Sequence, residues 1–139
     1  MIENGLFTFI TSNTNVQAAV GVDKNGVAQA YWVLAPQGAK LPFLVLSRVG
    51  TTDPYTMAGT LGVRQGMFQI SCYSASFLSS RTIAKQVRTL LENFTGTLPD
   101  GTVVQAVFTD KDFDQKYEEG GTGFTFGAIL QFKIWFVEA

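Results

Sequence analysis

Three aspartates at alternate positions are the residues of this sequence whose spacing most resembles a metal site. Asp110, Asp112 and Asp114 have the spacing of the first calcium ligands of an EF-hand loop. The rest of that loop is missing, because Gln115 stands where the turn needs glycine and Gly121 stands where the metal needs a glutamate. In a strand the three carboxylates would share one face and repel each other. Solvation is the favoured interpretation, contact with the cations of a neighbouring chain comes second, and a metal site comes last.

A basic face on a predicted helix is the second cluster of interest. Arg81, Lys85 and Arg88 form it, and a solvated face partly paired with Glu92 is the simpler interpretation. The alternative is a contact with an acidic neighbour or with DNA passing nearby. Residues 48–88 hold five cations and one anion, whereas residues 92–119 hold seven anions and two cations. One end of the sequence could therefore pair with the other end of a second copy, which is the polarity of a head-to-tail ring.

The remaining short motifs predict no catalysis. The glycine-rich residues 120–123 lead into a predicted strand and lack the lysine of a phosphate-binding loop. Thr82 lies one turn from Lys85, a pairing that exposed helix faces give by chance. Cys72 alternates with core residues, and the chain contains no histidine that could activate it. We therefore predict no enzyme activity, no cofactor and no bound metal.

The composition limits the class of protein further. The chain has 139 residues, a net charge of -1 and only 15% charged residues, whereas average proteins have about 25%. The length fits a single domain over residues 1–139. So weak a charge gives no electrostatic footprint for wrapping nucleic acid, and no apolar run is long enough to predict a membrane span. A lightly charged surface suits burial between subunits.

The first half of the sequence predicts a helix followed by two strands. Apolar spacing indicates an opening helix of about a dozen residues, with a further turn past Asn13. A strand follows at residues 30–35. A second strand begins at residues 42–49, where it is apolar on both faces, and we expect it to be central in the sheet. Residues 50–62 have no periodicity and predict a long loop.

The middle of the sequence predicts a strand and an amphipathic helix. Residues 63–74 alternate, which predicts a strand with one buried face. A helix from about residue 77 or 80 to residue 94 carries its apolar stripe opposite its charges. Serines before it can cap its first turn, and Gly96 is placed to end it in a left-handed conformation.

The last third predicts one long hairpin, residues 102–117 paired with residues 123–137. Fifteen extended residues span about 50 Å, whereas a compact domain of this length measures about 37 Å across. We therefore expect the charged tip from Asp110 to Gly123 to overhang. The whole order predicts an α+β fold, with a mainly antiparallel sheet of about five strands, two helices on one face and the long C-terminal hairpin.

This order of pieces resembles the tail terminator, or tail completion, family of long-tailed bacteriophages over nearly the whole chain. The matching pieces are Val-Gln-Ala-Ala-Val-Gly at 16–21, Ala-Pro-Gln-Gly-Ala at 35–39, Leu-Pro-Phe-Leu-Val at 41–45, Phe-Gln-Ile-Ser-Cys-Tyr-Ser at 68–74, the helix segment at 83–91 and the closing hairpin. One departure is the stretch at 29–32, Gln-Ala-Tyr-Trp, which lacks the arginine that many members have there.

The resemblance implies a non-enzymatic virion protein that forms a ring, usually of six subunits, on the end of the tail tube. Such a ring would stop tube growth, join the tube to the head connector and let genomic DNA pass through its lumen without sequence recognition. It would be assembled in the host cytoplasm, with no membrane partner, and lie at the neck end of the tail. As contact residues we predict the hairpin acids, the helix cations and the long loop: Asp110, Asp112, Asp114, Glu118, Glu119, Arg81, Lys85, Arg88, Asp53, Tyr55 and Met57.

Two other functions stay open at this point. The chain could be another neck or head-tail connector component of the same particle, with the same fold and a different neighbour. It could instead be a small α+β ligand-binding domain or enzyme, in which the aromatic-rich sheet encloses a deep pocket lined by Phe and Trp.

Overall fold

A sheet with helices on one face forms the body of the computed structural model. The structure describes residues 2–20, 30–32, 42–52, 55–56, 59–60, 63–119 and 123–137. Its helices in these ranges are α1 (Ile2–Thr11), α2 (Thr14–Val20) and α3 (Phe77–Leu91). The strands are β1 (Ala30–Trp32), β2 (Phe43–Thr52), β3 (Tyr55–Thr56), β4 (Gly59–Thr60), β5 (Arg64–Ser74), β6 (Gly96–Thr97), β7 (Val103–Glu119) and β8 (Gly123–Val137).

The strand order confirms an α+β fold with a mainly antiparallel sheet. Within the described ranges, six strands pair in the order β1-β2-β5-β8-β7-β6, and β3 and β4 form a separate ribbon. In the six-stranded sheet β1 and β2 are parallel and the other neighbours are antiparallel. The sheet therefore exceeds the predicted five strands, because β6 has two residues, too few to show a periodicity.

The opening segment forms two helices where one was predicted. The Asn13 side-chain oxygen accepts a hydrogen bond from the Val16 amide at 3.1 Å, which caps the first turn of α2. The predicted further turn past Asn13 is thus a separate helix, and the described helices number three rather than two.

The helix-covered face of the sheet holds the core. Phe68 and Ile70 of β5 and Phe132 of β8 are at most 1% exposed there, and they pack with the buried residues of all three helices. The predicted alternation of β5 is confirmed by these exposures. The predicted stripe of α3 is confirmed as well, since Ile83 and Val87 are buried in the same cluster.

The predicted start of α3 is confirmed, but its predicted exit is wrong. The Ser76 hydroxyl accepts a hydrogen bond from the Ser79 amide at 3.2 Å and caps the helix. The chain leaves α3 through Asn93, which has a φ of 63°. Asparagine tolerates this left-handed conformation better than most residues. Gly96, the residue predicted for this role, lies in β6 instead.

The segment predicted as a loop at residues 50–62 contains strands. β2 continues to Thr52, and β3 pairs with β4 as a short ribbon. β2 itself is an interior strand, second from the β1 edge of the described sheet. Of the strand predicted at residues 30–35, residues 30–32 form β1 and the rest lie outside the described residues.

The long hairpin is confirmed, but the predicted long overhang is wrong. β7 and β8 pair from Val103↔Val137 to Glu119↔Gly123. β5 accompanies β8 as far as Ser74↔Phe126, so the hairpin passes the end of β5 by three residue pairs. The domain is elongated along the hairpin and not spherical, because β5 runs beside β8 for 11 residues. No helix among the described residues has the length and apolar character needed to cross a membrane.

Candidate functional site

The basic face of α3 lies beside the outer arm of the hairpin. α3 packs on β5 and β8 through its apolar stripe. Arg81, Lys85 and Arg88 follow one another at helical spacing on another side of the helix. β7 lies next to β8 in the sheet, so side chains on the helix-covered face of β7 can reach this basic side of α3.

A β-bulge decides which aspartates of β7 face the helix. β7 shifts register between Thr109 and Lys111, which places Asp112 opposite Leu130 and Asp114 opposite Ala128. Leu130 and Ala128 are buried on the helix-covered face, so Asp112 and Asp114 lie on that face as well. The prediction that all three aspartates share one face is therefore wrong for Asp110, the residue at the bulge.

Asp110 belongs to the opposite, helix-free face. Its carboxylate lies 3.7 Å from the Lys133 ammonium, and Lys133 alternates with the buried Phe132 and Ile134 of β8. Because the bulge adds one residue, Asp110 faces away from Asp112 and Asp114, although the alternating sequence pattern places all three on one face.

A chain of alternating charges joins α3 to β7 within one subunit. Asp112 accepts hydrogen bonds from Arg81 at 2.7 Å and from Arg88 at 2.9 Å. The Arg81 Nε lies 3.0 Å from the carboxylate of Asp114, and Arg88 donates to Glu92 at 3.1 Å. We call these five residues the ion-pair clamp. It ties two turns of the helix to β7.

The pKa shifts agree with this pairing. Burial lowers the pKa of Arg81, but the hydrogen bond and charge of Asp112, with the charge of Asp114, outweigh it and raise that pKa overall. The hydrogen bond and charge of Glu92 raise the pKa of Arg88, and Arg88 in turn lowers the pKa of Glu92. Every group of the clamp with a resolved shift is therefore held in its charged form.

The clamp changes the interpretation of the segregated charges. The sequence predicted a solvated face partly paired with Glu92, or a contact with an acidic neighbour or with DNA. The pairing with Glu92 is confirmed for Arg88, but both arginines also bind Asp112 of their own chain. Lys85 is exposed and makes no ion pair with the described residues. Sequence reasoning missed this pairing because it depends on a bulge, which leaves no periodic signal.

The other predicted contact residues have no described side-chain contacts. Asp53 and Met57 lie outside the described residues. Tyr55 lies in β3, and Glu118 and Glu119 end β7, but their side chains are outside the described part. A role of these five residues in subunit contacts stays a prediction.

A cleft of about 180 Å³ opens between α3 and β7. Arg81, Ala84, Lys85, Arg88 and Asp112 line it. Its lining is charged, unlike the Phe and Trp lining that the ligand-binding alternative requires. Within the described ranges, no three His, Cys, Asp or Glu side chains are grouped so that they could hold a metal ion.

Cys72 lies buried near the clamp and offers no nucleophile. Its burial raises the pKa of the thiol far above the ordinary value, and the small opposing effect of Arg81 does not reverse this. A thiol that stays protonated packs as a small apolar side chain.

Half-exposed apolar side chains lie along the face of β7 that no described helix covers. Val103, Phe108 and Phe113 are 40%, 53% and 36% exposed, and we call them the strand strip. They share a face because their partners on β8 are Val137, Lys133 and Ile129, which alternate with the β8 residues of the helix-covered face. The sequence alone does not predict this strip. Phe108 and Phe113 are five positions apart and would lie on opposite faces of a regular strand, whereas the bulge between them places them on the same face.

A second exposed apolar group stands at the first turn of α3. Phe77 and Leu78 are 46% and 76% exposed, and we call the pair the helix knob. A helical wheel could have found Leu78, because it lies opposite the stripe that contains Ile83 and Val87, whereas Phe77 is exposed because it begins the helix.

Comparisons with known proteins show which family this chain matches. The family model described as tail completion protein gp17 matches residues 5–136. A chain in a solved structure described as the virion of a native gene transfer agent particle superposes with a TM-score of 0.76 at 15% identity, over 97% of this chain and 93% of that chain. At this identity the likeness shows the fold alone. No curated protein sequence matches significantly.

Proposed function

Because the chain belongs to the tail completion protein gp17 family and is a structural component of a bacteriophage-like virion tail, we propose that it is the ring-forming tail terminator. In this proposal several copies, six by the resemblance, close into a ring on the last ring of the tail tube. The ring stops tube polymerisation and offers its other face to the head connector. Genomic DNA passes through the lumen without sequence recognition.

The observation that carries the proposal is the family match over residues 5–136, nearly the whole chain. A low content of charged residues, 15%, supports it, because surfaces buried between subunits are depleted in charge. The exposed apolar strand strip and helix knob support it too, since contiguous exposed apolar groups mark interaction surfaces.

A terminator must bind the tube end without recreating it. A tube of stacked rings always presents one unsatisfied end surface. A protein that covers this surface and exposes a different one stops further addition. In this proposal the ion-pair clamp keeps each subunit in shape, because it ties β7 to α3. Contacts with neighbours are then left to other groups, among them Lys85, Asp53, Tyr55, Met57, Glu118 and Glu119.

Tube length in the presence of the purified chain tests this function. Tube protein is polymerised with increasing amounts of the full-length chain, and lengths are measured by negative-stain electron microscopy. We expect the mean length to fall as the chain is added, with a ring visible at one end of each stopped tube.

A matched negative control is the same chain unfolded by heat before it is added. Tubes that keep their length while the chain binds the isolated head connector would instead favour the other interpretation, a neck component with a different neighbour. Tubes that keep their length with no binding to either partner would contradict both.

A further inference from the structure

We propose that neighbouring subunits of the ring join head to tail through apolar groups, with the helix knob of one copy packed on the strand strip of the next. The knob is Phe77 and Leu78, and the strip is Val103, Phe108 and Phe113. This inference rests on the proposed function, because it assigns the contact that closes the ring. It replaces charge pairing between copies with burial of apolar surface as the main source of affinity.

Exposed apolar side chains in the described part of the chain are concentrated at these two places. The large hydrophobic residues that are exposed there are Val49, Phe77, Leu78, Val103, Phe108 and Phe113. Five of these six belong to the knob or the strip. Single exposed apolar residues are ordinary on protein surfaces, but groups of them mark interaction sites.

The strip is continuous along the outer strand. Ala106 lies opposite Trp135 and Lys111 lies opposite Gln131, so both fill the positions between the members of the strip on the same face. The face of β7 between Val103 and Phe113 therefore presents apolar side chains together with Lys111 and with Asp110, whose carboxylate lies beside Lys133.

One copy cannot cover its own strip with its own knob. The knob begins α3, which packs on the helix-covered face of the sheet, and the strip lies on the opposite face. Two unlike patches on opposite sides of one chain fit a heterologous contact between copies. Such contacts close into a ring when the rotation between subunits permits it.

Charge favours a second copy over nucleic acid as the occupant. The knob stands in an uncharged segment, since residues 74–80 contain no charged side chain. The strip holds Lys111, while Lys133 beside it is engaged by Asp110. Too few cations are available for a polyanion, whereas an uncharged knob meets no repulsion there. Each copy brings one knob and one strip, the ratio that a ring requires.

The ion-pair clamp makes a charged contact between copies through Arg81 and Arg88 less favourable. Arg81 and Arg88 already bind Asp112 inside the subunit, so a contact between copies through these groups would first have to break internal pairs. Burial of the knob against the strip requires no such exchange, and each large apolar side chain removed from water contributes favourably.

Single charge substitutions test the contact. In the full-length chain, Leu78→Glu and Phe108→Glu are compared with Val49→Glu, a matched control because Val49 is 54% exposed and lies outside both patches. We expect the protein concentration for half-assembly of rings, measured by native mass spectrometry, to rise at least about tenfold for the first two variants. The control should stay within about twofold. Should Leu78→Glu or Phe108→Glu misfold by circular dichroism, Leu78→Ser and Phe108→Ser replace them.

Engineered disulfides test the pairing itself. The double variant Leu78→Cys, Phe108→Cys should give a ladder of covalent oligomers after mild oxidation, because each subunit has one cysteine for each neighbour. Either single variant should give no ladder. Cys72 is fully buried and serves as the internal control. A covalent dimer from Phe108→Cys alone would mean that strips meet strips, and would overturn the proposal.

The outcomes separate this inference from the proposed function. If the wild-type chain neither forms rings nor shortens tubes, the function fails. If it does both, and the two glutamate variants do so equally well, the apolar contact fails alone. Variants that still form rings but no longer bind tubes would place the two patches against the tube and would likewise overturn the contact between copies.

Discussion

Phenylalanine has opposite environments on the two faces of the sheet. Phe132 of β8, on the helix-covered face, is 0% exposed, whereas Phe113 of β7, on the other face, is 36% exposed. Both belong to one hairpin and lie on adjacent strands. The difference comes from the layer above each of them, since the buried helix residues cover Phe132. Residue type therefore identifies apolar positions, and only the second layer decides which of them form the core.

The largest expected effect comes from truncating one phenylalanine on each face. Phe132→Ala should lower the free energy of unfolding by about 3–5 kcal/mol, because it opens a cavity in the core. Phe113→Ala should change it by less than about 1 kcal/mol, since its side chain is already partly in water. Urea denaturation of the two purified variants measures both values. Equal losses would mean that the helix-free face is covered in solution.

A smaller loss is expected where a helix approaches a turn on the covered side. A Cβ added at Gly5 of α1 would collide with the Asp100 carboxylate and would lie 3.1 Å from the Leu98 Cβ. Gly5→Ala should therefore destabilise the chain by about 1–3 kcal/mol, although alanine favours helices. Thermal unfolding measures it, and Asn4→Ala, on an exposed position of the same helix, is the control. A more stable Gly5→Ala variant would show that Asp100 moves aside freely.

The ion-pair clamp links α3 to β7 and is expected to add a modest amount of stability. Asp112→Asn removes the shared charge that Arg81 and Arg88 contact, and should cost about 1 kcal/mol, because these pairs are partly exposed. The loss should shrink in about 0.5 M salt. Asp110→Asn is the matched control, since the only ion pair described for it is the 3.7 Å contact with Lys133. Equal losses for both variants would deny the clamp a special role.

The smallest effect is a pH dependence at the turn before β7. Burial would raise the pKa of Asp100, but hydrogen bonds from the Thr102 hydroxyl and amide lower it overall. A lowered folded pKa stabilises the fold above the ordinary aspartate value near 3.9. This stabilisation disappears as the pH falls through the lower folded value. Asp100→Asn should therefore flatten the acid limb of stability measured between about pH 2 and 5, and an unchanged limb would contradict it.

Local patterns predicted much of the covered side. The alternation around Phe68, the apolar stripe around Ile83 and the serine cap of α3 all follow from spacings of a few residues. The sequence gives only a weak signal for the break between α1 and α2. The apolar spacing continues past Asn13, and a single side chain caps the second helix. β6 was not predicted, because a strand of two residues is too short to show an alternation of apolar and polar side chains.

The candidate site was harder to predict than the fold. Asp112 and Arg88 were both singled out from the sequence, yet their pairing within one chain depends on the register of β7. Phe108 and Phe113 were not singled out at all. Their common face exists because an extra residue lies between them, and nothing in the apolar pattern marks that residue.

The bulge at Asp110 determines which face of the sheet each later residue of β7 occupies. If Asp110 were kept but paired regularly with β8, the bulge would be lost and the inward and outward positions from Lys111 onward would invert, turning Phe113 towards α3 and Asp112 towards the helix-free face. A related chain that lacks this one residue would instead keep the same outward side chains on a regular strand, because Thr109 and Lys111 already pair with consecutive residues of β8. Alignments of related chains must account for that gap before any residue beyond it is compared.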